Sequence, residues 1–165
     1  METEQSIICK IGGHVNSRPE IIVSYPLLTI LPEQENELLS KCLPIGSKIG
    51  DIIVNKYKKN TVISYIFKVE KKESRDDLFS ISVLLNKKSN SEIYEEILKD
   101  FIDTLEKNSL LTENNLINYQ KSIYEGFTEE AEITIDNLTI NFSEIFNEIK
   151  TKLIKQKPNL KGSFF

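Results

Sequence analysis

Asp51-Ile52-Ile53-Val54-Asn55-Lys56-Tyr57, Thr61-Val62-Ile63-Ser64-Tyr65-Ile66-Phe67-Lys68-Val69 and Leu78-Phe79-Ser80-Ile81-Ser82-Val83-Leu84-Leu85 are three runs rich in β-branched and aromatic residues. The first pair is joined at Lys58-Lys59-Asn60, a length that suits a hairpin, and the third run sets Phe79, Ile81, Val83 and Leu85 against Ser80, Ser82 and Leu84. Period two means that one face is the more deeply buried. Glu70 to Asp77, with seven charges in eight residues, is a solvated connection. Loops this short cannot carry crossover helices, so the three strands form an antiparallel meander.

Upstream, Ser6-Ile7-Ile8-Cys9-Lys10-Ile11 ends at Gly12-Gly13, and Glu20-Ile21-Ile22-Val23-Ser24-Tyr25 is closed by Pro26. These two runs pair as a hairpin. Pro32 to Cys42 is a short helix: proline stands in its first turn, carboxylates follow where the helix dipole favours them, and Lys41 is near its end. Leu43-Pro44-Ile45-Gly46-Ser47-Lys48-Ile49-Gly50 cannot stay helical through two glycines and a proline, and is a loop into the sheet.

Downstream, Ser89-Asn90-Ser91-Glu92 has capping-box spacing, and Ile93, Ile97, Leu98, Phe101, Ile102 and Leu105 form one stripe of the following helix. Thr112 caps a second helix with Leu116, Ile117, Ile123 and Tyr124 on its apolar side, and Gly126 is placed to end it. Ile133, Ile135, Leu138, Ile140 and Phe142 around Asp136-Asn137 read as a small hairpin or an edge strand. Ser143 then caps a last helix in which Ile145, Phe146, Ile149 and Leu153 align.

The element order is thus β-β-α-β-β-β-α-α over residues 1–128, an α+β domain with a five-stranded antiparallel sheet flanked by helices, and residues 129–165 are a C-terminal extension. The chain has 165 residues, 39% hydrophobic and 28% charged, with a net charge of −4, which describes one ordinary domain able to build a core without disulfides or metal. Cys9 and Cys42 cannot make a cystine framework, and the apolar runs fall short of the ~20 residues that cross a bilayer. Met1 to Gln5 lacks the basic and apolar regions of a secretory signal, so the expectation is a cytoplasmic chain with reduced thiols. Charge is uneven. Residues 129–148 carry six acids and no base, and residues 149–165 carry five lysines and no acid.

The element order resembles the longin fold over about residues 5 to 127. Within it, Pro19-Glu20-Ile21-Ile22-Val23-Ser24-Tyr25-Pro26, then Leu43-Pro44-Ile45-Gly46, then Tyr65-Ile66-Phe67 and Leu78-Phe79-Ser80-Ile81-Ser82-Val83 are similar to the longin module at the N-terminus of DENN proteins. The chain departs from that family in having no room for the central and downstream DENN domains. Guanine-nucleotide exchange in the family relies mainly on those parts. The resemblance implies a non-enzymatic module that binds a small Ras-like GTPase, or another longin or roadblock domain, in assemblies controlling membrane traffic, with a homodimer as one form of that association. Ile, Lys and Asn make up 57 of the 165 residues, which suggests a low-GC genome and, with a eukaryote-like module, an archaeon of the Asgard type.

Two other classes compete. A profilin-like cytoskeletal adaptor uses a related sandwich, but profilin usually begins with a helix and this chain with a strand. An enzyme of unrecognised type would need convergent His, Cys or Ser motifs. His14 is the only histidine and stands in a turn, while Cys9 lies among apolar neighbours, so a buried thiol and an exposed turn histidine outweigh a Cys-His pair. Cys42 reads the same way, and one His with two Cys cannot complete a zinc site of N/S ligands. The glycines lack phosphate-loop spacing, so no cofactor is expected. Asp76-Asp77 and Glu95-Glu96 are ordinary solvated pairs.

For partner contact the sequence offers two sets. The first is Glu33, Glu37 and Lys41 on the first helix with Lys56, Lys58 and Lys59 at the strand connection. Lys68, Lys71, Lys72 and Arg75 extend this basic rim, which reads as solvated charge, and the net negative charge argues against nucleic acid. The second is the tail: Lys150, Lys152, Lys155, Lys157, Phe164 and Phe165 would rest on a membrane surface or a partner groove, or else the helix packs on the sheet and the tail is disordered.

Overall fold

The computed structural model describes residues 3–12, 17–70, 77–86 and 90–156. Five strands form one antiparallel sheet: β1 (Thr3–Ile11), β2 (Glu20–Tyr25), β3 (Ile52–Tyr57), β4 (Asn60–Val69) and β5 (Asp77–Leu85), in the spatial order β2-β1-β5-β4-β3. The meander over β3, β4 and β5 is in place, Tyr57 pairing with Asn60 around a two-residue turn and Tyr65 with Ile81. β1 pairs on one side with β2, Ile7 facing Ser24, and on the other with β5, Ile7 facing Ser82. The strand that opens the chain is therefore central, because its apolar residues on both faces are fully buried only between two neighbours.

Helix α1 (Pro32–Cys42) follows β2, and its Leu31 N–H donates to Gln34 Oε1 at 3.1 Å. Among the described helices it alone packs on one face of the sheet, joined by Leu28 and Ile30 of the preceding loop. Leu38 and Cys42 of α1 pack there with Ile7, Cys9, Val62 and Ile66. Register puts Ser64, Ser80 and Ser82 on this same face, beside Ile7 and Cys9, and the hydroxyls of Ser64 and Ser82 bond at 2.6 Å. Such short side chains leave room for a helix to lie close to the strands, and the shared hydrogen bond offsets the burial of two hydroxyls.

The other face carries the larger cluster. α2 (Ser91–Lys107) lays Ile97, Leu98, Phe101, Ile102 and Leu105 against Ile8, Ile63, Phe67, Ile81 and Val83 of the strands. Its cap is Asn90, whose Oδ1 accepts from the Glu92 N–H at 3.0 Å; Ser89 lies outside the described residues. Thr112 caps the next segment as its spacing predicts, accepting from the Asn115 N–H at 3.1 Å. That segment is two helices, α3 (Glu113–Asn118) and α4 (Gln120–Glu129), meeting at Tyr119. The Ser6 hydroxyl donates to Gln120 Oε1 and fixes α4 over β1.

Gly126 does not end a helix. It sits inside α4, where the Phe142 ring lies against it so closely that a Cβ would collide, and the helix ends at Glu130 in the left-handed conformation, φ 55°. Beyond it, β6 (Glu132–Ile135) and β7 (Leu138–Asn141) form the small hairpin, turning at Asp136-Asn137. α5 (Phe142–Gln156) closes the described chain, capped by Asn141, whose Oδ1 accepts from the Glu144 N–H at 3.2 Å, and not by Ser143. Ile133, Ile135, Ile140, Phe142, Phe146 and Ile149 all belong to the same cluster as α2 and the strands. The described part of the C-terminal extension is core. Among the described residues no helix is long and apolar enough to cross a membrane.

Candidate functional site

Among the described residues β3 is the outer strand of the sheet, so half of its backbone groups meet no described strand. The Ile66 N–H donates to the Asp51 carbonyl at 2.9 Å, and in an antiparallel ladder the residues that exchange such bonds alternate. Ile53, Asn55 and Tyr57 share that parity and face β4. Ile52, Val54 and Lys56 therefore turn their N–H and C=O groups to the open edge.

α1 runs beside this edge and is bonded to it. The Asn55 side-chain amide donates to the Lys41 carbonyl at 3.1 Å, and the Tyr57 hydroxyl to the Gln34 carbonyl at 3.4 Å. The loop from α1 to β3 is held by its own turns: the Ser47 N–H and hydroxyl both donate to the Pro44 carbonyl, at 3.2 and 2.5 Å, and the Lys48 N–H donates to Asp51 Oδ2 at 2.8 Å. Gly46 and Gly50 take positive φ, 87° and 92°, at the two bends. A loop fixed in this way holds Ile45 fully exposed, at 100%, and Ile49 at 58%. Val54, at 47%, is exposed on β3 but shares the face of its partner Ile63, opposite the one that α1 covers. A shallow depression of about 490 Å³ opens between α1 and β3, lined by Lys41, Pro44, Ile45, Asp51, Ile53 and Asn55. Exposed apolar side chains, unpaired backbone groups and a rigid frame together suit recognition of another polypeptide.

The residues singled out in the sequence fall around this surface. Glu33 and Glu37 are exposed on α1, and Lys41 is half-buried at its end. Lys56 is exposed on the edge and donates to Thr61 Oγ1 at 3.2 Å. Lys58, in the left-handed turn with φ 55°, holds its ammonium 5.3 Å from the centre of the Tyr57 ring, and Lys59 is exposed next to it. The apolar members Ile45, Ile49 and Val54 were missed by sequence reasoning, which followed charge. A lone isoleucine between Pro44 and Gly46, in a loop that cannot be helical, was the available signal.

The second set is divided. On α5, Phe146 and Ile149 are spent in the core, so the apolar stripe of this helix is already covered. Lys150 pairs with Glu130 at 3.6 Å and lies 5.6 Å from the Phe146 ring centre, Lys152 is 4.0 Å from Glu96, and Lys155 is exposed. Lys157, Phe164 and Phe165 lie outside the described residues, as do His14, Lys71, Lys72, Arg75 and Asp76.

Cys9 and Cys42, far apart in sequence, meet beneath α1 and are both fully buried. The hydrogen bond with the Cys42 thiol, and then burial, push the Cys9 thiol well above its ordinary value, the opposite of what a nucleophile needs. Asp77, 2% exposed, stands 3.6 Å from Lys10, which also binds Glu113 at 2.8 Å, so it belongs to an ion cluster tying β1, β5 and α3. Burial and the neighbouring Glu92 and Glu96 raise Glu95, and burial with Glu96 and Asp103 raises Asp100, the mark of a crowded acidic helix face. No group of three or more His, Cys, Asp or Glu side chains among the described residues is placed to hold a metal ion. Comparison with protein-family models gives no match, and comparison with curated proteins gives none.

Proposed function

We propose that this chain is a non-enzymatic docking module of the longin type, which seats a small Ras-like GTPase or another longin or roadblock domain in assemblies that regulate membrane traffic. The observation that carries the reading is the β3 edge, open among the described residues and framed on the α1 face by exposed Ile45 and Ile49. The β2-β1-β5-β4-β3 order, with α1 the one described helix on one face and α2, α4 and α5 on the other, supports it as a compatible scaffold. Against such a surface a partner adds a strand to the ladder through Ile52, Val54 and Lys56, while its side chains cover the apolar loop.

The test is capture of purified Ras-like GTPases, loaded with GDP or with a non-hydrolysable GTP analogue, by the immobilised chain. Retention of one nucleotide state, lost on substitution of both Ile45 and Ile49 by Ser, is the expected outcome. Failure of every GTPase tested in both states, and of purified longin and roadblock domains, removes the proposal.

A further inference from the structure

Two buried thiols lie where α1 meets the sheet. Cys9 is on β1, between β2 and β5, and Cys42 is the last residue of α1. Both are fully buried, both belong to the small cluster under α1, and they are hydrogen-bonded to each other. The sulfurs have room to close on one another, because Cys9 is paired across the ladder with Ser80 of β5, whose side chain is short. Around them the packing is aliphatic, with Ile7, Leu38, Leu43 and Ile66 in the same cluster.

Neither thiol reacts where it lies, since reaction needs both thiolate character and access. Cys42 has the shorter way out. It stands in the last turn of α1, where helix ends fray, while Cys9 is held between two ladders. Movement of that turn uncovers Cys42 first and opens the path to Cys9 behind it.

We infer that Cys9 and Cys42 are a redox latch: an oxidant of the hydrogen peroxide class joins them in a disulfide that ties the end of α1 to β1, and a thiol reductant releases it. Peroxide transfers one oxygen to the Cys42 sulfur, giving a sulfenic acid and water. The Cys9 sulfur then attacks the Cys42 sulfur, the S–S bond forms as the S–O bond breaks, and the hydroxide leaves with the Cys9 proton as a second water. Two thiols have then lost two electrons and two protons to one peroxide. The bond closes a loop of 34 residues that holds β2 and all of α1 and leads directly into Leu43-Pro44-Ile45. The helix and the loop beyond it thereby gain a covalent anchor, whichever partner they serve.

The test compares the full chain treated with hydrogen peroxide and the same chain reduced with dithiothreitol. After peroxide no free thiol remains, a proteolytic digest holds a peptide linked through Cys9 and Cys42, and the melting temperature rises by about 10 °C, all of it reversed by dithiothreitol. Amides in the last turn of α1 exchange with solvent more slowly in the oxidised chain. Cys42→Ser, treated alike, keeps its melting temperature. The reversible changes in the unsubstituted chain decide the matter even if that variant does not fold.

Peroxide that leaves both thiols of the native chain free, adds oxygen to each cysteine separately, or links cysteines of different copies overturns the inference. An internal disulfide that leaves the melting temperature unchanged or lowers it does so too, since such a bond strains the fold instead of holding α1. GTPase capture enters none of these outcomes, so the docking reading stands or falls separately.

Discussion

Gly126 shows how one residue is read wrongly for a sound reason. Glycine near the end of an amphipathic stripe is the commonest helix stop, yet here it lies in the body of α4 because the Phe142 ring needs the space of its missing Cβ. The ring is fully buried, with Phe101 and Phe127 at 5.7 and 5.5 Å between centres, so it has nowhere to retreat. Two effects oppose each other. Alanine in a helix interior is favoured over glycine by about 1 kcal/mol, and overpacking a rigid core costs typically 1–3 kcal/mol, roughly 2 here since the clash is with a ring and not a flexible chain end. Gly126→Ala is therefore expected to lower stability by about 1 kcal/mol in urea denaturation, against the trend for such substitutions. In a Phe142→Leu background, which relieves the clash, the same change is expected to be neutral or stabilising. A stabilised single variant would mean that Phe142 does not rest on Gly126.

Among the elements, period two, proline and capping residues made the five strands, α1 and α2 readable close to their ends, because each depends on neighbours in sequence. What depended on distant residues was not readable. The cap of α5 falls on Asn141 and not Ser143 because the chain enters that helix directly from β7. The meeting of Cys9 with Cys42 needed the arrival of α1 on β1, and the exposed Ile45, Ile49 and Val54 needed β3 to be the outer strand. The role of α5 likewise emerges from packing: its stripe fits a membrane or a protein core equally well, and the buried Phe142, Phe146 and Ile149 place it in the core. All three precede Thr151. A chain ending at Lys150 is thus expected to keep its helical signal and most of its melting temperature, having lost only partly buried Leu153 from the cluster. A chain ending at Asn141 gives up two buried phenylalanines and an isoleucine, each about 2–5 kcal/mol, and is expected not to fold. Equal melting temperatures for the two truncations would show that α5 is dispensable.

For the molecule as a whole, the sheet is the shared wall of two unequal cores. The small one under α1 and the large one under α2, α4 and α5 draw alternate residues of the same strands: Ile7 and Cys9 on one side and Ile8 on the other, Val62 and Ile66 against Ile63 and Phe67. Loss of either core exposes one face of β1 and β4 and unravels the register that the other needs. Residues from Ile7 to Ile149 are joined in this way, and Lys10 adds ionic ties from β1 to Asp77 of β5 and Glu113 of α3. Despite its appended hairpin and helix, the chain should unfold as one unit. Tyrosine fluorescence, which reports on Tyr57 under α1 and on Tyr94 under α5, and circular dichroism of all the helices should give coincident urea transitions with one midpoint. If α1 were a loosely laid cover, Tyr57 would change at lower urea than the helical signal, and a fluorescence probe confined to that tyrosine by Tyr57→Phe subtraction would reveal the separation. Coincidence also bears on docking, since a partner that grips α1 and the β3 edge would then stabilise the entire chain and shift both probes together.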